Sequence, residues 1–289
     1  MIDTTDTRYA FKSWAPGVWA FGGWEAFLRS LDLNCLDDFI QLRGQVVDRN
    51  RKSRVHRISL GSPARTCYLK LHRGYVKRSW RSLFRPRILV ERELANLMHY
   101  ARAGFDALEP VAWGRRLRKR GGESFLLVAE LEGYRSLQEW LSNRGLASDS
   151  SGRRSLRESV ARMLARMHQA GLAHIDLFSW HIFLKPQGDA FLALPIDLER
   201  SRIKGPWPWS SRRILEKQAH DLAVLHLTVP WPQVGYRERM RFFLHYRGHQ
   251  ALSRNDKRLL RKVLAIARHR GRQKKFKPFG VAERLSPVS

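Results

Sequence analysis

The segment Gly171–Leu184 reads GLAHIDLFSWHIFL and contains the residues that most strongly predict the fold. It follows a stretch with helical spacing and runs into a short strand-like stretch, so His174 and Asp176 fall in a loop between two regular elements. A carboxylate in such a loop is held in place and can act on a substrate hydroxyl as a base or an orienting group. His181 lies five residues after Asp176 and could face the same cleft. An ordinary loop with a capping aspartate would contain the same residue types.

A second carboxylate, Asp197, follows the apolar strand-like run before it. Carboxylates at strand ends commonly bind metal ions, and Mg²⁺ takes one or two of them together with phosphate oxygens. The alternative is a polar residue that starts a turn.

Upstream, Lys70 lies inside an apolar strand-like run, Tyr68–His72. A lysine in this setting must place its ammonium group in a cleft or against an acid. Glu93 and Glu91, on the helix that follows, are both candidate partners. The alternative is an outward-facing lysine on an alternating strand.

The elements around these residues predict an α+β protein with a strand-rich first half and a mainly helical second half. The helix of the first half is indicated by the i, i+4, i+7, i+8, i+11 spacing of Val90, Leu94, Leu97, Met98 and Ala101. Strands are predicted at residues 44–47, 54–60, 66–72, 111–117 and 124–131. Residues from 137 onward are predicted to be mainly helical.

The order of these parts resembles that of protein-kinase-like phosphotransferases. The runs Leu69–Gly74 and Glu91–Glu93, and the segment His174–Asp176 with His181, resemble the lipopolysaccharide core heptose kinase family (WaaP/InaA type) over about residues 43–230. The resemblance implies a two-lobed kinase fold. It implies an N-terminal extension at 1–42, an N-lobe at 43–131, and a C-lobe at 132–289 with a basic C-terminal helix. It also implies ATP-dependent phosphorylation of a core sugar, heptose, with Mg²⁺.

On the N-lobe side, the resemblance implies a nucleotide site. Lys70 would hold phosphates of ATP, and Glu93 would orient Lys70, with Glu91 as the alternative. Glu130 and Leu131 would lie in the hinge, where their backbone would meet adenine. The sequence departs from the general kinase pattern in one respect here: it lacks the glycine-rich phosphate loop. The basic turn 48–54 stands in its place.

On the C-lobe side, the resemblance makes Asp176 the catalytic base and Asp197 the Mg²⁺ ligand. Asp221 would brace the catalytic loop from a helix. His181 stands where kinases have a metal-binding asparagine, and a neutral imidazole is a poorer Mg²⁺ ligand than an oxygen. His181 is therefore a candidate metal ligand that could instead hold the loop or touch substrate.

The charge of the chain predicts an anionic partner. The net charge is +28, and residues 43–87 and 254–284 are especially basic. The second stretch has the pattern of a basic amphipathic helix, which would either pack with a solvated face or contact anionic lipid. The family resemblance implies lipopolysaccharide core, or another anionic glycolipid, as the partner, and the charge agrees with this and with contact to an anionic membrane surface. The different-class alternative, an inactive nucleic-acid-binding module, lacks a recognised motif, so no nucleic acid is expected.

Cysteine usage and hydropathy predict the compartment. The chain has two cysteines, which are typical of reduced cytosolic thiols. It has neither an 18-residue apolar run nor a secretory signal. These features predict a cytoplasmic protein, and the membrane-held substrate that the family resemblance implies would place it peripherally at the inner membrane.

Overall fold

The protein folds into two compact units. The computed structural model describes residues 10–49, 53–73, 76–77, 87–105, 108–118, 121–142, 149–205, 208–230, 233–273 and 276. One unit comprises Met1–Ala101 and Ala107–Glu132, and the other comprises Arg102–Asp106 and Gly133–Ser289. The first is rich in strands and the second in helices, so the α+β class expected from the sequence is confirmed. The chain passes from the first unit to the second after Glu132, one residue beyond the boundary expected at 131.

An antiparallel β-sheet forms the base of the first unit. The strands of this unit are β1 (Phe11–Ala15), β2 (Val18–Phe21), β3 (Gln45–Arg49), β4 (Ser53–Leu60), β5 (Arg65–Arg73), β6 (Val76–Lys77), β7 (Arg87–Ile88), β8 (Pro110–Arg118) and β9 (Gly121–Ala129). Seven of them form one sheet in the order β1-β2-β8-β9-β5-β4-β3, and β6 pairs with β7. Residues 50–52, within the basic turn between β3 and β4, lie outside the described residues.

Strand β5 places Lys70 in the middle of this sheet. Lys70 lies opposite Val55 of β4 and Leu126 of β9. Its neighbours Leu69 and Leu71 are buried. Since side chains alternate between the two faces of a strand, Lys70 projects from the face opposite to these leucines.

The first two strands belong to the same sheet, although they lie in the segment 1–42 that the sequence sets apart as an extension. β2 pairs with β8 and brings Trp19 opposite Trp113. The two indole rings stack with their centroids 4.2 Å apart. Stacking and strand pairing together attach this hairpin to the sheet.

The helices that the structure describes in the first unit are α1 (Glu25–Ser30), α2 (Leu36–Gln41) and α3 (Leu89–Arg102). All five apolar residues whose spacing predicts a helix over 90–101 are buried in α3. Glu93 is also buried in this helix, at 3% exposure, which requires a partner for its charge.

The second unit is mainly helical, and its described residues also form two small sheets. Its helices are α4 (Leu137–Ser142), α5 (Ser150–Gln169), α6 (Pro208–Thr228), α7 (Tyr236–Arg247) and α8 (Arg254–Gly271). Its strands are β10 (Arg135–Ser136), β11 (Leu172–Ala173), β12 (Ile182–Gln187), β13 (Ala190–Pro195) and β14 (Arg202–Ile203). Within the described ranges, none of the helices has the length and apolar character needed to cross a membrane.

Helix α8 is the basic amphipathic helix that the sequence predicts. It packs against α6 and buries Val263 and Ala267. Its exposed residues include six that are basic: Arg254, Lys257, Arg258, Arg261, Lys262 and Arg268. The basic residues beyond 276 lie outside the described residues.

The buried carboxylate of Asp256 caps the N-terminus of α8. It accepts hydrogen bonds from the backbone and hydroxyl of Ser253 at 3.0 Å and 2.7 Å. Nε of Arg247 and Nδ1 of His249 each approach it to 2.6 Å. Burial alone would raise the pKa of Asp256. The hydrogen bonds outweigh burial and hold this pKa well below its usual range.

We expect Asp256→Asn to lower the free energy of unfolding at neutral pH by about 2 kcal/mol, because an amide cannot accept all of these hydrogen bonds. The folded-state pKa of Asp256 lies below its unfolded-state value of about 3.9, so its stabilisation is complete above that value and declines as the pH falls. Calorimetry should therefore show the stability gap between wild type and variant shrinking from about pH 6 to about pH 3. The exposed Asp189→Asn is the control. A gap that stays constant would contradict the prediction.

Candidate active site

Lys70 forms a buried ion pair with Glu93 of α3. Its Nζ lies 3.0 Å and 3.2 Å from the two carboxylate oxygens. The side chains are only 15% and 4% exposed, so the ion pair is largely shielded from solvent. Glu91, the alternative partner from the sequence, contacts Arg115 of β8 instead. Glu93 is therefore the acid that holds Lys70.

Glu130 and Leu131 follow β9, just before the chain enters the second unit. The backbone N–H of Glu130 donates to the carbonyl of Thr66 at 3.0 Å. Its carboxylate accepts hydrogen bonds from Arg57 at 3.0 Å and from the Tyr68 hydroxyl at 3.3 Å. Leu131 makes no backbone hydrogen bond to the residues that the structure describes. Of these two residues, Leu131 is thus the better placed to offer its backbone to a ligand.

In the second unit, the loop after β11 is held by a buried carboxylate. Ile175 has φ +76°, which is rare for a β-branched residue. The fully buried Asp221 of α6 accepts the backbone N–H groups of His174 and Ile175, each at 2.7 Å. It also lies 3.3 Å from Nε2 of His168. Asp221 therefore fixes the backbone immediately before Asp176, which is the bracing contact that the family resemblance implies.

The carboxylate of Asp176 is bound by an arginine that the sequence analysis missed. Nη1 of Arg200 lies 2.9 Å and 2.7 Å from its two oxygens. The Asp176 side chain is 12% exposed, whereas that of Arg200 is 53% exposed. In the sequence, Arg200 is marked only by its position in the run IDLER that contains Asp197. This signal says nothing about a contact with Asp176.

His181 lies between the backbone of Asp176 and the carboxylate of Asp197. Its Nδ1 lies 2.8 Å from the backbone carbonyl of Asp176, and its Nε2 lies 3.9 Å from Oδ2 of Asp197. Burial, reinforced by nearby His174, lowers the pKa of His181 more than Asp197 raises it, so the ring is neutral. A carbonyl oxygen only accepts, so Nδ1 carries the proton and the lone pair of Nε2 faces Asp197.

Asp197 lies at the end of β13, where the backbone turns into a short 3-10 helix, Leu198–Arg200. Its φ of +58° is a left-handed conformation that aspartate tolerates better than most residues. Its carboxylate is 41% exposed. A carboxylate oxygen facing an imidazole lone pair, with no proton between them, is suited to a cation. By ligand type, the Asp197 oxygen fits Mg²⁺ well, and the nitrogen of His181 fits it less well.

Comparison with known proteins identifies the family. The model of the Lipopolysaccharide kinase (Kdo/WaaP) family matches residues 37–246, which include all of the site residues above. The chain belongs to this family. It is therefore a kinase, a phosphotransferase of lipopolysaccharide biosynthesis, and the family resemblance expected from the sequence is confirmed.

Relatives of the lipopolysaccharide kinase family include two proteins named lipopolysaccharide core heptose(I) kinase WaaP. The chain is 27% identical to that of Pseudomonas aeruginosa over 194 residues, which are 62% of this chain and 68% of the relative. It is 25% identical to that of Escherichia coli (strain K12) over 187 residues, which are 61% of this chain and 70% of the relative. Protein InaA of the same strain is 30% identical over 138 residues, which are 44% of this chain and 62% of InaA.

A solved structure has the same fold. It is described as WaaP in complex with acyl carrier protein, and it matches with a TM-score of 0.60 at 23% identity. The match covers 91% of this chain and 97% of that one. The protein-kinase-like fold expected from the sequence is thus confirmed, and the roles of the individual site residues stay predictions.

Proposed function

We propose that this kinase transfers a phosphoryl group from ATP to a heptose hydroxyl of the lipopolysaccharide inner core. Heptose as the acceptor is supported by the names of the two WaaP relatives. The observation that carries the proposal is the position of His181, whose Nδ1 lies 2.8 Å from the Asp176 carbonyl and whose Nε2 lies 3.9 Å from Oδ2 of Asp197. It links a candidate base to a candidate metal ligand, the two groups that phosphoryl transfer to a hydroxyl requires.

The nucleotide side of the proposal rests on Lys70 and Glu93. Lys70 would bind phosphate oxygens of ATP as a point charge, and Glu93 would hold its ammonium group in position. Leu131 would offer backbone groups to adenine, with Glu130 beside it. The turn 48–54 has basic side chains where other kinases have glycines, so phosphate contacts there would come from side chains.

Asp197 would hold Mg²⁺, which when bound neutralises charge on the phosphates. His181 would be at most a weak nitrogen ligand of the ion. Its bond to the Asp176 carbonyl supports a second role, which is to keep the loop and the metal ligand in a fixed relation.

Asp176 would accept the proton of the attacking hydroxyl. Its carboxylate lies in a loop fixed by Asp221, and a small part of it is accessible. A carboxylate held in this way can orient the hydroxyl as well as accept its proton.

We also propose that the protein acts at the cytoplasmic face of the inner membrane, where it would associate peripherally with anionic lipid through α8. Support comes from the exposed basic face of this helix and from the acidic, membrane-held acceptor of the proposed reaction. Each lysine or arginine near such a surface contributes about 1 kcal/mol.

We expect the wild type to transfer labelled phosphate from ATP to dephosphorylated core oligosaccharide. Asp176→Asn should slow this transfer by roughly 10²–10⁴-fold without weakening ATP binding, because it removes the proton acceptor. The exposed Asp189→Asn is the control. Normal turnover by a folded Asp176→Asn protein would exclude Asp176 as the base. Transfer to another core sugar only would exclude heptose as the acceptor.

Nucleotide affinity, measured with and without Mg²⁺, tests Lys70 and Asp197 separately. Lys70→Met should weaken ATP binding under both conditions, because it removes a cation from the phosphates. Asp197→Asn should abolish most of the gain in affinity that Mg²⁺ gives, because it removes an oxygen ligand. Glu91→Gln should leave both affinities unchanged. If Asp197→Asn retains the full Mg²⁺ effect, another group holds the ion.

Charge reversal on α8 tests the membrane proposal. The variant Lys257→Glu, Arg258→Glu, Arg261→Glu should weaken flotation with phosphatidylglycerol vesicles by at least about 100-fold. Transfer to the water-soluble oligosaccharide should change little. Reversal of the exposed Arg162, Arg212 and Arg213 makes the same change in net charge outside α8 and is the matched control. Equal effects of both variants, or loss of DNA binding with unchanged flotation, would contradict the proposal.

A further inference from the structure

The geometry of Arg200 leaves most of its guanidinium group available. A single nitrogen, Nη1, bridges both oxygens of Asp176. Nε and Nη2 make no hydrogen bond to any residue that the structure describes, and the side chain is 53% exposed. A guanidinium group that serves only to hold a carboxylate commonly uses two nitrogens in a fork. Here Nη1 alone holds the carboxylate, and Nε and Nη2 remain available to an anion.

The backbone gives Arg200 a defined position relative to Asp197. Both residues belong to one tight turn, in which the N–H of Ser201 donates to the carbonyl of Leu198 at 3.0 Å. Nη1 of Arg202 donates to the carbonyl of Arg200 at 3.0 Å. A short turn therefore carries both the candidate metal ligand and the arginine on Asp176.

The charges around Asp176 favour a further anion. Arg270 of α8 is partly buried, and its buried Nε has no hydrogen-bond partner among the described residues. Burial lowers the pKa of Arg270. The positive charge of Arg200 lowers this pKa further, whereas the negative charge of Asp176 raises it. Arg200 contacts the Asp176 carboxylate, and the charge of Arg270 acts on the same carboxylate, so the local charge is positive.

We propose that Arg200 binds the phosphoryl group during its transfer, with Nη1 on Asp176 and its remaining N–H groups on phosphoryl oxygens. This inference rests on the proposed function. Arg200 would stabilise the negative charge of the phosphoryl oxygens beside the negative Asp176. It would also keep the base and the phosphoryl group at a fixed separation.

Distances support this reach. A hydroxyl that donates to Asp176 lies about 2.6–3.2 Å from its carboxylate, and the phosphorus it attacks lies about 3–3.5 Å further on. Nη1 of Arg200 is 2.7 Å from the same carboxylate. The proposal therefore places the phosphoryl oxygens beside the open nitrogens of this guanidinium group.

The step is balanced without any further reactant. A bond forms between the acceptor oxygen and the γ-phosphorus of ATP, and the bond from that phosphorus to the bridging oxygen of ADP breaks. The hydroxyl proton passes to Asp176. Arg200 remains protonated throughout, so its contribution is electrostatic and positional.

The test compares Arg200→Gln, Arg200→Lys and the exposed Arg213→Gln as control. We expect Arg200→Gln to lower kcat by roughly 10²–10³-fold, the usual loss for one such donor. The kcat of Arg200→Lys should lie between those of wild type and Arg200→Gln, because one ammonium group cannot span Asp176 and the phosphoryl group.

Calorimetric titration with ADP and aluminium fluoride, a mimic of the phosphoryl group in transfer, tests the same contact by binding. The affinity of Arg200→Gln should be reduced at least about 10-fold, the order expected for one lost charged contact. Affinity for ADP alone should be unchanged.

A second measurement separates this contact from simple support of Asp176. If Arg200 only positions Asp176, adding Arg200→Gln to Asp176→Asn costs no further activity and leaves mimic binding as in Asp176→Asn alone. Either result would overturn the inference, as would normal kcat in Arg200→Gln. The proposed function fails separately, and takes this inference with it, if the wild type neither transfers phosphate nor binds the mimic. Melting temperatures of all variants show that each is folded.

Discussion

The contact between the Asp221 carboxylate and two backbone N–H groups is the one on which the arrangement around Asp176 depends. A strained residue such as Ile175 costs about 1–3 kcal/mol. Hydrogen bonds to a charged acceptor contribute about 1.5–3 kcal/mol each, so the two from His174 and Ile175 offset that strain. The position of the Asp176 carboxylate follows from this backbone, and so does the carbonyl that orients His181. The conformation of the loop is thus set by a residue that lies on a helix more than 40 residues away in the sequence.

Part of this arrangement is contained in the periodicity of the sequence. Glu93 follows Val90 by three residues and precedes Leu97 by four, so the helical period places it on the buried face of α3. Glu91 falls outside that face and meets Arg115 instead. The strand pattern around Lys70 and the helical pattern of α3 predict that Lys70 pairs with an acid on α3, and they narrow the candidates to Glu93 and Glu91. The choice of Glu93 over Glu91 comes from the folded structure, in which Glu93 contacts Lys70.

Other contacts of the site and the fold cannot be predicted from the local sequence pattern. The contact of Arg200 with Asp176 joins residues from two turns, and nothing in the run IDLER indicates where the guanidinium group will point. The state of His181 likewise depends on its burial and on one carbonyl oxygen, which are properties of the folded chain. The aromatic residues before residue 42 indicate burial, but their pairing with β8 is a tertiary contact that the sequence pattern does not specify. Local periodicity predicts elements, whereas these features arise from how elements meet.

The pairing of β2 with β8 also affects how this protein can be shortened. A chain trimmed to the family match, residues 37–246, would lose both strands of the N-terminal hairpin. β8 would then become a bare edge with unpaired N–H and C=O groups, and the ring of Trp113 would lose the indole that covers it. Such edges recruit strands from other molecules, so the trimmed protein would self-associate. Recombinant versions made for crystallisation or screening should therefore begin before β1, even though the recognisable part of the family starts later.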